Sequence, residues 1–169
     1  MHTTRSNRVV STTAAAVLAM VTLSAAPAFA DGSSGHSSSG HSVLRASLMG
    51  STPKVSPTIA GVKPGAAPWV NGLSNVRVRR DGRISVSISG LVIPPPVGTG
   101  VNPIPFVVAT LVCDNMVGSS TDKFALSAAG NGSISQMISV PRHCEDPTVL
   151  IQPAANRAVY IASAMEEDD

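Results

Sequence analysis

"VRVRRDGRISVSISG", residues 76–90, decides the fold. Val and Ile alternate with Arg and Ser on both sides of an Asp-Gly, the period-two signature of half-buried strands joined by a tight turn. The register follows from requiring that the apolar residues of both strands share one face, because a one-residue slip turns every side chain over. A two-residue Asp81-Gly82 loop would set Val78 against Ser85 and Arg77 against Val86, mixing the faces. A three-residue loop, Arg80-Asp81-Gly82, pairs Val78 with Ile84 and Val76 with Val86, and it puts Gly82 at the left-handed position such loops favour. Val76, Val78, Ile84, Val86 and Ile88 then face a core, while Arg77, Ser85, Ser87 and Ser89 face water. The arginines read mainly as the solvated face of a hairpin. Arg79 opposite Arg83 is a like-charge pair, tolerable when solvated or when an anion or acidic partner sits there, which makes Arg79 and Arg83 a candidate anion contact.

Outward from this hairpin the same texture continues, with short runs of Val, Ile, Leu and Ser punctuated by Pro, Gly and Asn. The strands expected are 43–49, 75–79, 83–92, 104–113, 123–127, 133–140, 148–152 and 157–163. None has a helical period, so nothing is available to cover a parallel sheet, and two antiparallel sheets packed face to face are expected. The fold class is all-β: an antiparallel β-sandwich of the immunoglobulin-like, Greek-key type with seven or eight strands.

Only 13% of the 169 residues are charged, which suits one modest domain. Its boundaries are read as a signal peptide at 1–30, a Ser/Gly/His-rich flexible leader at 31–42, the sandwich at 43–164 and an acidic tail at 165–169. The signal peptide rests on Arg5 and Arg8 before an apolar middle and on Ala28-Phe29-Ala30, a small-residue cleavage pattern. The apolar middle falls short of a membrane span. No Cys follows the cleavage site to take a lipid, and no Arg pair suggests the twin-arginine route. An exported chain, secreted or wall-associated and not inserted in the membrane, is expected. After removal of residues 1–30, ten Lys and Arg meet ten Asp and Glu. A neutral balance offers no long-range steering toward nucleic acid or anionic lipid.

The leader, "DGSSGHSSSGHS", has too little apolar surface to repay ordering. His36 and His41 could hold a divalent ion loosely, but no Cys or acidic cluster lies near them to complete a site, and a solvated spacer is the preferred reading. Cys113 and Cys144 lie in a chain expected in an oxidising compartment, so they are expected to form a disulfide. Closing that loop would stabilise by roughly 3–4 kcal/mol.

Catalysis and cofactors find little support. His143 and Cys144 are neighbours, and on an extended strand neighbours point to opposite faces, so they do not make a nucleophile and base. The cupredoxin pattern lacks a His after Cys144, and superoxide dismutase ligation needs several histidines where the domain beyond its leader has only His143. No cofactor or metal is expected. An enzyme would have to draw on Asp114, Asp122, His143, Glu145 and Asp146 at strand ends. Sugar recognition leans on exposed aromatic faces, and Trp69, Phe106, Phe124 and Tyr160 are expected in the core, with Trp69 plugging one end of the sandwich.

The loop "IPPPVGTGVNPIP", residues 93–105, is the most unusual connection. Pro94, Pro95 and Pro96 are expected to stop the strand and hold an extended conformation, and a stiff exposed loop loses little entropy on binding. Pro94, Pro95, Pro96, Asn102 and Pro103 are therefore the candidate partner-binding residues, although prolines also protect sheet edges.

The blocks "GVKPGAAPWV", "GRISVSISGLVI", "NPIPFVVATLVC" and "SVPRHCEDPTVLI" resemble those of small exported bacterial β-sandwich (immunoglobulin-like) proteins of unassigned function, over about residues 43–163. The resemblance implies the fold and export and brings no catalytic residue. The functional expectation is a secreted, non-enzymatic module that binds a protein or cell-envelope component through its loops. The alternative is a secreted enzyme using the acidic residues or His143.

Overall fold

The computed structural model describes residues 41–165. The expected signal peptide, residues 31–40 of the leader with His36, and Glu166–Asp169 of the tail lie outside the described residues; of the expected leader, His41 and Ser42 are described, and Ser42 already lies in the first strand. Within them the chain forms β-strands and no α-helix. In chain order these are β1 (Ser42–Ser47), β2 (Met49–Gly50), β3 (Lys63–Pro64), β4 (Asn75–Arg79), β5 (Arg83–Ile88) and β6 (Phe106–Cys113). They are followed by β7 (Met116–Ser120), β8 (Phe124–Ala125), β9 (Gly132–Met137), β10 (Thr148–Pro153), β11 (Val159–Tyr160) and β12 (Ala162–Met165).

Sheet one has the order β1-β4-β5-β9 and sheet two the order β2-β12-β10-β6-β7, with β8 also on β6; all of these pairings are antiparallel. β3 and β11 make a short parallel pair. The two sheets share one core, in which Leu44, Val76, Val78, Ile84, Val86 and Ile88 from sheet one pack on Val107, Ala109, Leu111, Val149 and Ile151 from sheet two. This arrangement fits a β-sandwich.

The β4–β5 hairpin has the expected register, with Val76 opposite Val86, Arg77 opposite Ser85 and Val78 opposite Ile84. Gly82 has φ +95°, and a Cβ there would press against the Ile138 carbonyl oxygen at 2.6 Å, so the turn requires glycine on two counts.

Several expected strands divide or shorten. The 43–49 segment becomes β1 and β2 because the chain crosses at Leu48 from one sheet to the other. β5 ends at Ile88, before Gly90 turns the chain with φ +63°. The 157–163 segment divides between β11 and β12. β7 was not expected, since "MVGSS" carries no alternation. It is set by its turn, Asp114-Asn115, whose φ values of +53° and +57° make the two-residue hairpin loop that reverses β6 onto it.

The central strands of sheet two are buried on both faces: every residue of β10 is buried, and β6 is buried from Val107 onward. Its outer face is covered by the segment between β2 and β3, where Ile59 and Val62 pack with Val112, Leu150 and Tyr160. The Tyr160 hydroxyl donates to the Pro57 carbonyl at 2.6 Å and ties this cover down. Polar groups on the same face are paired internally, with Thr110 Oγ1 donating to Gln152 Oε1 and Gln152 Nε2 to the Arg157 carbonyl, each at 2.6 Å. Pairing of this kind removes the penalty for burying them.

Candidate functional site

The 93–105 connection leaves β5 after Ile88 and returns as β6 at Phe106. Pro94–Pro96 do not run extended as expected. The chain turns over residues 95–97, with Gly98 N–H donating to the Pro94 carbonyl at 2.9 Å and Gly100 N–H to the Ile93 carbonyl at 3.0 Å. Gly98 permits this turn, because a Cβ there would collide with the Ile93 carbonyl and side chain. Proline's fixed φ suits a turn as well as an extended run, and the downstream glycines decide between them.

The base of the loop is fastened to the β8–β9 connection. Leu91 N–H donates to the Gly130 carbonyl, Asn102 N–H to Ala128 and Leu126 N–H to Pro105, at 2.8–3.0 Å. Asn102 is buried, and its side chain is committed to this fastening. Nδ2 donates to the carbonyls of Ile104 at 2.7 Å and Ser127 at 2.9 Å, and Oδ1 accepts from the Ile104 N–H at 2.9 Å. Asn102 is therefore a positioning residue of the loop and does not present itself to a partner. Pro95, Pro96 and Pro103 are exposed and Pro94 is half-buried.

What the loop presents is apolar: Val97 and Val101 are exposed, and Phe106 is 45% exposed. Phe106 departs from the expected core placement. Val107 points inward, so Phe106 points outward, at the end of β6 where Ile59 and Val62 do not cover the sheet. Its ring lies 5.3 Å from Lys123 Nζ, a cation–π contact across from β8. Ile104, Pro105, Phe106, Lys123, Pro153 and Ala154 line a cleft of about 330 Å³. The signal in the sequence was "NPIPF": a proline-framed aromatic opening a strand meets the sheet before its cover begins.

The remaining candidates fall elsewhere. Trp69, Phe124 and Tyr160 are buried, Trp69 in the inter-sheet core. Cys113 and Cys144 are joined in a disulfide with Cα atoms 4.8 Å apart. Arg79 is paired with Asp81, Nη2 to Oδ2 at 2.9 Å, while Asp81 Oδ1 accepts the Arg83 N–H at 3.1 Å. The turn's own carboxylate thus occupies the anion position between them. His41 is exposed, and its carbonyl accepts the Arg80 N–H.

Of the titratable candidates, Asp114, Glu145 and Asp146 line one cleft with Asn115, whereas Asp122 and His143 do not take part in its lining. Asp114 there works as a brace: its N–H donates to the Glu145 carbonyl and its Oδ1 accepts the Glu145 N–H, both at 3.0 Å, beside the disulfide. Asp122 binds Gln136, its N–H donating to Oε1 and its Oδ2 accepting from Nε2. Among the described residues no group of His, Cys, Asp and Glu is arranged to hold a metal ion, and no helix is long and apolar enough to cross a membrane.

Comparison of the chain with protein-family models, curated proteins and solved structures finds no significant match.

Proposed function

We propose that this chain is an exported, non-enzymatic module that binds a protein or cell-envelope component through the end of the sandwich built by residues 93–106. The observation that carries the reading is the display of Val97, Val101 and Phe106 on a connection whose backbone and Asn102 are fixed by internal hydrogen bonds. Exposed apolar side chains on an already ordered loop lose little entropy on docking, and an aromatic beside a lined cleft is the usual anchor of a binding surface. The Cys113–Cys144 bridge agrees with an oxidising destination and the 1–30 segment with export.

The finer description of the fold, an immunoglobulin-like sandwich, draws support from sheet two. Its run β12-β10-β6-β7 follows the order of the immunoglobulin G, F, C and C′ strands. The adjacent β4–β5 hairpin in sheet one and a bridge between β6 and the β9–β10 connection are departures from that plan.

The test is co-sedimentation of the protein with isolated envelope material, comparing the natural chain with a Val97→Ser/Phe106→Ser variant. Retention that the double substitution abolishes, with unchanged thermal unfolding, is the expected result. Equal retention of both proteins would remove this end of the sandwich from the account.

A further inference from the structure

We infer that the outer face of sheet one is a binding surface for a linear polyanion of the cell envelope. The four strands of this sheet place their inward residues in the core and leave a polar outer face. One row across it runs Arg45, Arg77, Ser85, Ser135, and the next runs Ser47, Asn75, Ser87, Ser133. Arg83 continues the cationic side beyond them, next to Met137. Arg45, Arg77 and Arg83 are exposed, and β1, β4, β5 and β9 contain no Asp, Glu or aromatic residue.

Two observations point to a negatively charged occupant. Arg45 and Arg77 are directly opposed across β1 and β4 and both are exposed, so water screens their repulsion while their guanidinium groups stand side by side where one anionic chain reaches both. The ion pair found among the described residues, Arg79 with Asp81, does not involve them. Secondly, charge is divided along the chain. Residues 41–165 carry ten Lys and Arg against five Asp and Glu, so the neutral balance after residue 30 conceals a folded part with an excess of five positive charges. Within that part Asp114, Glu145 and Asp146 gather at the cleft by the disulfide.

The chemistry of the face selects among anions. Guanidinium forks pair bidentately with oxyanions, phosphate and carboxylate alike, and the hydroxyls of Ser47, Ser87 and Ser133 add donors beside Ser85 and Ser135, whose hydroxyls bond each other at 3.2 Å. A sheet sets such groups on a grid of about 4.8 Å between strands and about 6.6 Å along a strand, which engages repeated charges better than a single ion. The lack of an aromatic leaves nothing for nucleobases to stack on. The envelope as the source rests on the export reading; the polyanion chemistry does not.

The experiment measures binding of inorganic polyphosphate by the protein recovered after expression of the full sequence, as a function of salt. Binding that weakens with salt is expected. Arg45→Ser/Arg77→Ser should weaken it roughly tenfold and lower the salt slope by about two, one for each cation removed. Arg157→Ser, which removes an exposed cation outside this sheet, and Phe106→Ser, which damages the loop end, should both leave the slope unchanged. Loss through Phe106→Ser would move the site to the loop end and overturn the inference while sparing the proposed function. Absence of binding would overturn it, as would an Arg45→Ser/Arg77→Ser variant that binds normally, or binding that appears only after removal of Glu166–Asp169. The last outcome would assign the face to the chain's own acidic tail.

Discussion

Asn102→Ala separates the fastening of the candidate loop from what the loop displays. The buried carboxamide makes three hydrogen bonds of 2.7–2.9 Å that alanine cannot replace. At about 1 kcal/mol net for each, and with carbonyls left partly unsatisfied in a buried position, the expected loss is roughly 2–4 kcal/mol. Urea unfolding followed by tryptophan fluorescence measures it, because Trp69 lies in the inter-sheet core. With a slope of about 2 kcal/mol per molar, the midpoint should fall by about 1–2 M. Asn102→Asp should cost more at neutral pH, since it sets a carboxylate against the Ile104 and Ser127 carbonyls, and it should recover partly on acidification as that carboxylate is protonated. A loss below about 0.5 kcal/mol for Asn102→Ala would refute the reasoning, because a surface residue without partners would give that value.

Replacing both cysteines, Cys113→Ala/Cys144→Ala, opens a loop spanning 31 positions and should cost roughly 3–4 kcal/mol in thermal or chemical unfolding, with reductant producing a similar loss in the natural protein. The Tyr160 hydroxyl is pushed above its ordinary pKa of 10.0 chiefly by burial, with a hydrogen bond to Ser56 pulling the other way. The folded state thus favours the neutral phenol, so this contribution to stability is fully present below about pH 10 and is lost as pH rises through the raised value. Tyr160→Phe should flatten that alkaline decline and cost about 1 kcal/mol at neutral pH through the lost bond to Pro57. Gly98→Ala should loosen the 93–100 turn, raising hydrogen exchange at the Gly98 and Gly100 amides while leaving the inter-sheet core protected.

The hairpin at 76–90 was legible because its apolar residues admit one register, and Gly82 fits the turn that register demands. The antiparallel all-β class and the Cys113–Cys144 pairing were legible for related reasons, the first from strand periodicity and the second from an even pair of cysteines. The burial of β6 and β10 on both faces left a signal that alternation alone does not capture. "VVATLV" in β6 and "TVLI" in β10 are continuous apolar runs, the pattern of strands covered on both sides, and Ile59 and Val62 supply the cover from a segment with no strand period of its own.

The candidate site was legible in its location and only partly in its roles. The prolines marked the connection, but its turn depends on where Gly98 and Gly100 meet the Ile93 and Pro94 carbonyls, a contact no spacing rule encodes. Asn102 resembles any exposed loop asparagine until the Ser127 and Ile104 carbonyls come round it. Phe106 looks like a core residue until the end of the covering segment is located. The arginine face needed the pairing of β1 with β4, since Arg45 lies far in sequence from Arg77 and becomes its neighbour only in the sheet.

An exported domain closed by the Cys113–Cys144 disulfide is the central proposal. The decisive measurement is the intact mass of the protein recovered from the culture medium of cells expressing the full 169-residue sequence, with thiol alkylation before and after reduction. A mass that begins at Asp31 and takes up no label until reduction is the predicted result. A full-length chain retained in the membrane fraction, or a Cys144 that labels without reduction, would contradict it.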